Sequence, residues 1–447
     1  MSAEQDRLAD LIKAAKQAGA DRADALVVSS RSVSAMCRRG VPEGLEHSET
    51  IQLGLRVFVG KRAANVSATA IDPSRFEALA QQAVAMARVV PEDAHASQVD
   101  PDSQGSYDIA SLDLVDPSEA PSLDQLLARA REAEETALGY AGITNSNGAS
   151  AAYGRVDITL AESSGFSGQY AQTSHSTGVS VLAGDGPAMQ RDYAGHSARY
   201  LSDLDAPAVL GREAAERVLA RLNPVKPRTG SFPVVFDKRV SSSLLGHLAG
   251  AINGASIARG TSFLSNHLGK PVLPEALSII DDPTRRRGLR SKPFDAEGFL
   301  PRRLSFVENG ILREWILDSR SAGQLGLPNN GRASRSVGGP PSPAVSNFYL
   351  TGGTGSRDAL MADIVEGIYI TEMMGSSING LTGDYSRGAS GYMIRHGVLA
   401  EPVAELTIAG NLIEMFASLR AADDLEFRHG VDAPTLRIDA MSVAGSQ

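Results

Sequence analysis

Apolar positions along the first ninety residues follow two alternating periods. Leu8, Leu11, Ile12 and Ala15 fall on one helical face, and Gly19 ends that pattern. Ala25-Leu-Val-Val-Ser reads as a strand, and Thr50 to Val59 alternates apolar with small or polar residues. A third, polar strand is expected from Arg62 to Thr69. Asp72 then caps a helix with Pro73 in its first turn and Phe76, Leu79, Ala83 and Met86 along it. Residues 91–120, rich in Asp, Ser and Pro and without periodicity, read as a linker.

After the linker the same order returns. A helix is expected over Leu123–Leu138, then strands near Arg155–Ala161, Gly168–Ser174 and Gly178–Ala183. A polar strand around Arg191–Arg199 and a helix from Ala206 to Leu222 follow. Units 1–90 and 121–222 thus look like a duplicated helix–strand–helix arrangement, although few residues are identical between them. The segment NPVKPRTG at 223–230 marks a further boundary. Beyond it, 223–447 is dominated by short strands, with Glu308-Asn309-Gly310 and Arg395-His396-Gly397 between alternating runs as hairpin turns. Helices are expected there only in the 240s–250s, at 357–364 and at 411–420. The fold class is α+β: an N-terminal α/β region of duplicated units, then a β-rich antiparallel C-terminal domain.

Composition narrows the function classes. The chain of 447 residues has 44 glycines and 22 prolines, which fits many short elements joined by turns. Its formal charge of −9 argues against a nucleic-acid-binding face, which needs cations to displace counterions. The run Arg285-Arg286-Arg287 follows Asp281-Asp282 and reads as a solvated turn. A single cysteine, Cys37, excludes an intramolecular disulfide and a Cys-rich metal framework. The amphipathic start lacks the apolar stretch of a signal peptide, and no apolar run approaches the length of a membrane span. A cytoplasmic protein without membrane contact is expected.

Candidate chemistry is sparse. SLLGHLAGAINGASIARGTSF, 243–263, looks like a metal-binding helix with its ligands missing. A zincin helix needs two histidines four apart with a glutamate between them; around His247, the residues four away are Ser243 and Ala251. This helix alone cannot chelate zinc, and the bland reading is a core helix packed closely through Gly246, Gly250 and Gly254. No G-x-S-x-G elbow occurs. Cys37 has Arg38 and Arg39 beside it but no partner base, and reads as a spectator thiol. The most chemically loaded stretch is Gly383-Asp384-Tyr385-Ser386-Arg387-Gly388-Ala389-Ser390-Gly391. It is polar beyond the needs of a hairpin tip, and either a site or a self-satisfied turn network accounts for it.

Several segments, taken together and in order, resemble one family. FDAEGFLPRR (294–303), ENGILREWILDSRSAGQLGL (308–327), TEMMGSSINGLTGDYSRGASGYMIRHG (371–397) and AELTIAGNL (404–412) are similar to the TldD/PmbA family. GHLAGAI (246–252), LGLRVFVGKR and MQRDYAGHSARYLSDLDAP extend the likeness from about residue 20 to the C-terminus, on the side of the PmbA branch, also called TldE. The TldD branch carries an H-E-x-x-x-H helix before a segment like RGTS (259–262). The same register here places Leu245, Gly246 and Gly250 at the ligand and glutamate positions, and the C-terminal region lacks that branch's late cysteine. The resemblance implies the non-catalytic subunit of a heterodimeric metallopeptidase that processes unfolded or extended peptides. Zinc would sit in the TldD-like partner, with no cofactor, metal ligand or catalytic residue in this chain. His247, Asp384, Tyr385, Ser386, Arg387 and Ser390 are then the candidate cleft or substrate-binding residues, and a homo-oligomer is the state open to the chain alone. Two other readings stand beside it: a peptide-binding or regulatory adaptor of the gyrase-modulator type without protease activity, and a hydrolase built on Ser386 or Ser390 with His396.

Overall fold

The structure, a computed structural model, describes residues 2–445. Helix α1 (Ala3–Gln17), strands β1 (Arg22–Arg38), β2 (Val41–Val59) and β3 (Arg62–Ala68), and helix α2 (Phe76–Val89) form the first unit. After a one-turn helix, α3 (Ile109–Leu112), the order repeats: α4 (Leu123–Leu138), β4 (Ile143–Glu162), β5 (Ser167–Ala183), β6 (Gln190–Ala198) and α5 (Pro207–Ala220). The duplicated units are present and share one antiparallel sheet of order β3-β2-β1-β4-β5-β6. The centre of the sheet is the β1–β4 pairing. Each copy starts its first helix with the same capping box, Ser2 with Gln5 and Ser122 with Gln125, which satisfies two otherwise orphaned amides.

Each helix pair buries an apolar face on its own half of the sheet. Leu8, Leu11 and Ala15 meet Leu53, Leu55 and Val57 in one core. Leu126, Ala130 and Ala133 meet Val179 and Val181 in the other. The two strands expected near 168–174 and 178–183 are one continuous strand, since Thr177 and Gly178 remain in register with Ala151 and Ser150. The segment between the units is anchored by buried Val99, Leu112 and Leu114, the last accepting the Thr173 amide N–H.

Beyond residue 229, strand β7 (Gly230–Phe236) lies between the strands Glu366–Ile378 and Leu436–Ala444. The order continues through Asp384–Arg395 to Val398–Asn411, which pairs back onto Leu436–Ala444. Five strands thereby close into a barrel. Only the β7 pairing with Glu366–Ile378 is parallel in that ring, because a long excursion separates the two strands in sequence. Helix α6 (Lys238–Ala251) packs Leu244, Leu245, Leu248 and Ala251 into the core with Phe232, Ile368, Tyr385 and Ile408. Both expected hairpin turns occur, with positive φ at Asn309 and Gly310 (48° and 77°) and at His396 and Gly397 (50° and 83°). A short helix over Ser319–Leu325, outside the stretches where helices are expected, is capped by Asp318. The Arg285–Arg287 run is not a freely solvated turn: Arg286 and Arg287 both bind Asp113, and Arg287 also binds Asp203.

The N-terminal sheet meets the rest of the chain through buried charges. Asp24 accepts from Arg56 Nε at 2.6 Å and from Arg335, while Arg56 Nη1 lies 3.6 Å from Glu297. Burial alone would raise the Asp24 pKa, but Arg335 and Arg56 hold it below the ordinary value. Glu162 has no such partner. Gln104 donates to one of its oxygens at 2.6 Å and the other is buried without a hydrogen bond. Burial, with Asp24 adding to it, pushes its pKa up to about 8. The folded state therefore holds a proton that the unfolded chain releases near its ordinary value of 4.5, so stability falls as pH rises across that window. Glu162→Gln cannot ionise. It is expected to match the wild type in thermal unfolding at about pH 5 and to melt higher at about pH 9; equal melting at both would refute the protonated state.

Candidate functional site

Helix α6 starts at Asp237, whose carboxylate accepts from the Arg239 amide and, at 2.6 Å, from the Tyr369 hydroxyl. The side chains that follow divide by face. Leu245 is buried in the core. Gly246 and Gly250 are exposed, and a Cβ at either would meet nothing within 4 Å. The close packing expected through three glycines holds only at Gly254, where a Cβ would lie 2.5 Å from Leu317 and 2.7 Å from the Ile316 carbonyl oxygen. Gly246 and Gly250 instead leave a strip of bare backbone open.

His247 sits at the border of these faces. Its ring meets Tyr385 edge-on, with centroids 5.9 Å apart at 70°. Its Nε2 is buried without a hydrogen-bond partner, and so is Nε of Arg387. Burial, and secondly the Arg387 charge, pushes the His247 pKa below its ordinary 6.5, which leaves a neutral imidazole at neutral pH. Tyr385 is pushed up to about 12 by burial. It is a neutral phenol whose hydroxyl donates to Met373 Sδ at 3.3 Å.

The stretch Gly383–Gly391 is not a hairpin tip. Asp384–Arg395 is a strand inside the barrel, flanked by Glu366–Ile378 and Val398–Asn411. Strand alternation sends Tyr385 and Arg387 to one face and Ser386 to the other. The structure therefore gathers His247, Tyr385 and Arg387 and separates the other candidates. Asp384 is exposed and accepts from Thr382 Oγ1 at 2.6 Å and Asn411 Nδ2 at 3.3 Å, a local turn network. Ser386 is half-buried opposite Ser377 and Ala409. Ser390 is buried between Arg221, 3.1 Å away, and Glu372. Arg221 and Arg239 there share Asp192, which ties the second unit to the barrel. No local spacing announces that cluster, because its members come from five separate segments. Ser390 and His396 are six residues apart along an extended chain, roughly 20 Å, so they form no catalytic pair.

Cys37 is buried, with Sγ 3.6 Å from Glu134. Burial first, then the Glu134 charge, pushes the thiol up to about 11 despite its arginine neighbours. The ligand positions implied by the TldD-type helix carry only carbon or hydrogen here, at Leu245, Gly246 and Gly250. Among the described residues no three His, Cys, Asp or Glu side chains are placed to hold a metal. The described residues do not fit a zinc ion.

Three family models match in chain order: PmbA/TldA metallopeptidase domain 1 over 23–87, the central domain over 116–222 and the C-terminal domain over 229–445. The chain belongs to the PmbA/TldD metallopeptidase family. It is 35% identical to "Metalloprotease PmbA" of Escherichia coli O157:H7 over 429 residues, covering 95% of this chain and 92% of that protein. It is 34% identical to a "Metalloprotease PmbA homolog" of Haemophilus influenzae, covering 97% and 94%. A "Metalloprotease TldD homolog" of the latter organism is 26% identical over 60% of this chain and 61% of its own. Among solved structures, a putative modulator of DNA gyrase from Bacteroides thetaiotaomicron superposes with a TM-score of 0.90 at 26% identity, covering 99% of both chains. TldE from Thermococcus kodakarensis shares the fold, with a TM-score of 0.86 at 18% identity over 98% of this chain and 100% of that one. No helix among the described residues is long and apolar enough to cross a membrane.

Two measurements check the electrostatics of this PmbA/TldD-family site. In an NMR titration His247 is expected to titrate below 6.5 and to move upward in Arg387→Gln; an unmoved pKa would mean that the charge does not reach the ring. Cys37 is expected to resist a thiol reagent in the native protein at about pH 8 and to react promptly once unfolded.

Proposed function

We propose that this chain is the metal-free, non-catalytic subunit of a two-chain metallopeptidase that processes unfolded peptides. A TldD-like partner supplies the zinc, and this chain shapes the opposing wall of the cleft. The observation that carries this reading is the outer face of α6. The helix keeps its apolar seat in the core, yet Gly246 and Gly250 present no donor atom and leave open space. A bare helix face lets the backbone of an extended peptide approach closely, as side chains there would not. His247 Nε2 and Arg387 Nε, buried and unpaired in the lone chain, gain a partner when such a backbone arrives. The family's metallopeptidase descriptions and the existence of TldD homologues support the pairing.

The direct test is to purify the chain alone and with a co-expressed TldD-like chain, then measure bound zinc and cleavage of an unstructured peptide. Zinc and activity are expected only in the pair. Both in the lone chain would overturn the proposal, and peptide binding without any partner would favour the adaptor reading. Gly250→Trp fills the open face without touching the core. It is expected to leave complex formation and zinc content intact while lowering cleavage about tenfold or more, since small misplacements of a bound peptide cost that much. His247→Ala is expected to leave the zinc content of the complex unchanged; a loss of metal would show that this histidine reaches the partner's site.

A further inference from the structure

The arginine run that follows strand Ser278–Asp281 lines a cavity of about 440 Å³. One wall is the end of β6, from His196 to Ala198, with Arg199 just beyond it; another is the segment Glu426–Asp432 of the C-terminal region. Arg199, Arg285, Arg286, Arg287 and Arg428 face the acids Asp203, Glu426 and Asp432 there. Each acid is already occupied. Asp432 accepts three backbone N–H groups, from Arg428, His429 and Gly430 at 2.9, 2.8 and 3.0 Å. Asp203 is bound by Arg287 through both oxygens. Glu426 is bound by Lys238 and Arg428. Acids outside the lining complete the pairing, with Asp113 serving Arg286 and Arg287, and Asp205 serving Arg428.

Two guanidinium groups are left over. Arg199 is only 5% exposed, and no carboxylate pairs with it. It donates to the carbonyl oxygens of Thr173 at 3.0 Å, Gly288 at 3.3 Å and Leu289. Burial pushes its pKa down to about 10. Arg285 lies with Cζ 3.3 Å above the Phe427 ring, which an edge contact with Tyr349 at 5.0 Å holds in place. Its guanidinium has neither a hydrogen-bond acceptor nor an ion pair among the described residues. His196 adds no charge at neutral pH, because burial and Arg428 hold its pKa below the ordinary value. In a chain of net charge −9, a cavity lined by five guanidiniums and only three carboxylates is a local excess of positive charge.

We propose that this cavity binds a doubly charged phosphate group, held between Arg199 and Arg285. The fork of donors on a guanidinium matches phosphate oxygens, and the guanidiniums of the lining outnumber its carboxylates five to three. The cavity has room for the phosphoryl end of a larger molecule as well as for free phosphate. This site lies apart from the α6 face and does not depend on the peptidase reading.

The test is calorimetric titration of the full chain with inorganic phosphate, with glycerol 3-phosphate and with succinate, all at constant ionic strength. Saturable binding of one phosphate per chain is expected, tighter at about pH 8 than at pH 5.5, where the dianion is protonated. Tighter binding of the phosphomonoester would identify the phosphoryl end of a larger molecule as the occupant, and tighter binding of inorganic phosphate would identify the free ion; either supports the site. Arg285→Ala, a partly exposed position, is expected to keep the wild-type melting temperature without phosphate and to bind phosphate about tenfold or more weakly. Phosphate heats no larger than those of succinate, or undiminished binding in Arg285→Ala, would overturn the proposal. Arg199→Ala also removes three contacts between segments, so Arg285 carries the decision.

Discussion

The architecture depends on a buried carboxylate with two arginines. Asp24 on β1 stands in register with Arg56 on β2 and with Glu162 on β4, so the pairing inside the first unit and the pairing between units meet at one residue. Arg335 reaches the same carboxylate from the C-terminal region. A slip of one residue in either pairing would send these charges to the opposite face and leave them unpaired in apolar surroundings. Hydrophobic burial supplies the stability of the sheet. The ion set specifies which of its registers is allowed and fixes where the barrel sits against it.

Much of this order is legible in the chain. The repeat of helix, three strands and helix is visible because each unit buries one face, and burial of one face imposes periodicity. The capping boxes at Ser2 and Ser122 are a further signal of duplication that residue identity hides. Helix α6 and both two-residue hairpins also follow from local pattern and turn chemistry. What local pattern misses is decided by distant partners. The stretch Gly383–Gly391 looks like a polar turn because Ser390 and Arg387 are polar where a barrel strand would be apolar, and their partners or neighbours come from other segments. The arginine run at 285–287 looks solvated for the same reason, since Asp113 and Asp203 lie far away in sequence.

The candidate site divides along the same line. His247 and the two residues that approach it, Tyr385 and Arg387, are marked in the sequence by residue type, although their convergence is not. Ser390, marked equally by type, belongs to a clamp between the second unit and the barrel. Residue type thus identifies groups that need a partner, and only the fold shows which of those needs the chain meets internally. His247 Nε2 and Arg387 Nε are left without such a partner. In this PmbA/TldD-family chain α6 keeps a buried apolar face in the barrel core while its outer face carries no donor atom at Gly246 or Gly250.

The open face of α6 also sets what it would take to give this helix metal ligands. At Gly246 and Gly250 a glutamate and a histidine would enter empty space, and the helix would gain propensity by losing glycine. At Leu245 an imidazole would replace a core aliphatic side chain among Phe232, Ile368 and Ile408, with no partner for its nitrogens. Substitution on this helix is therefore blocked by packing at one position and free at the other two.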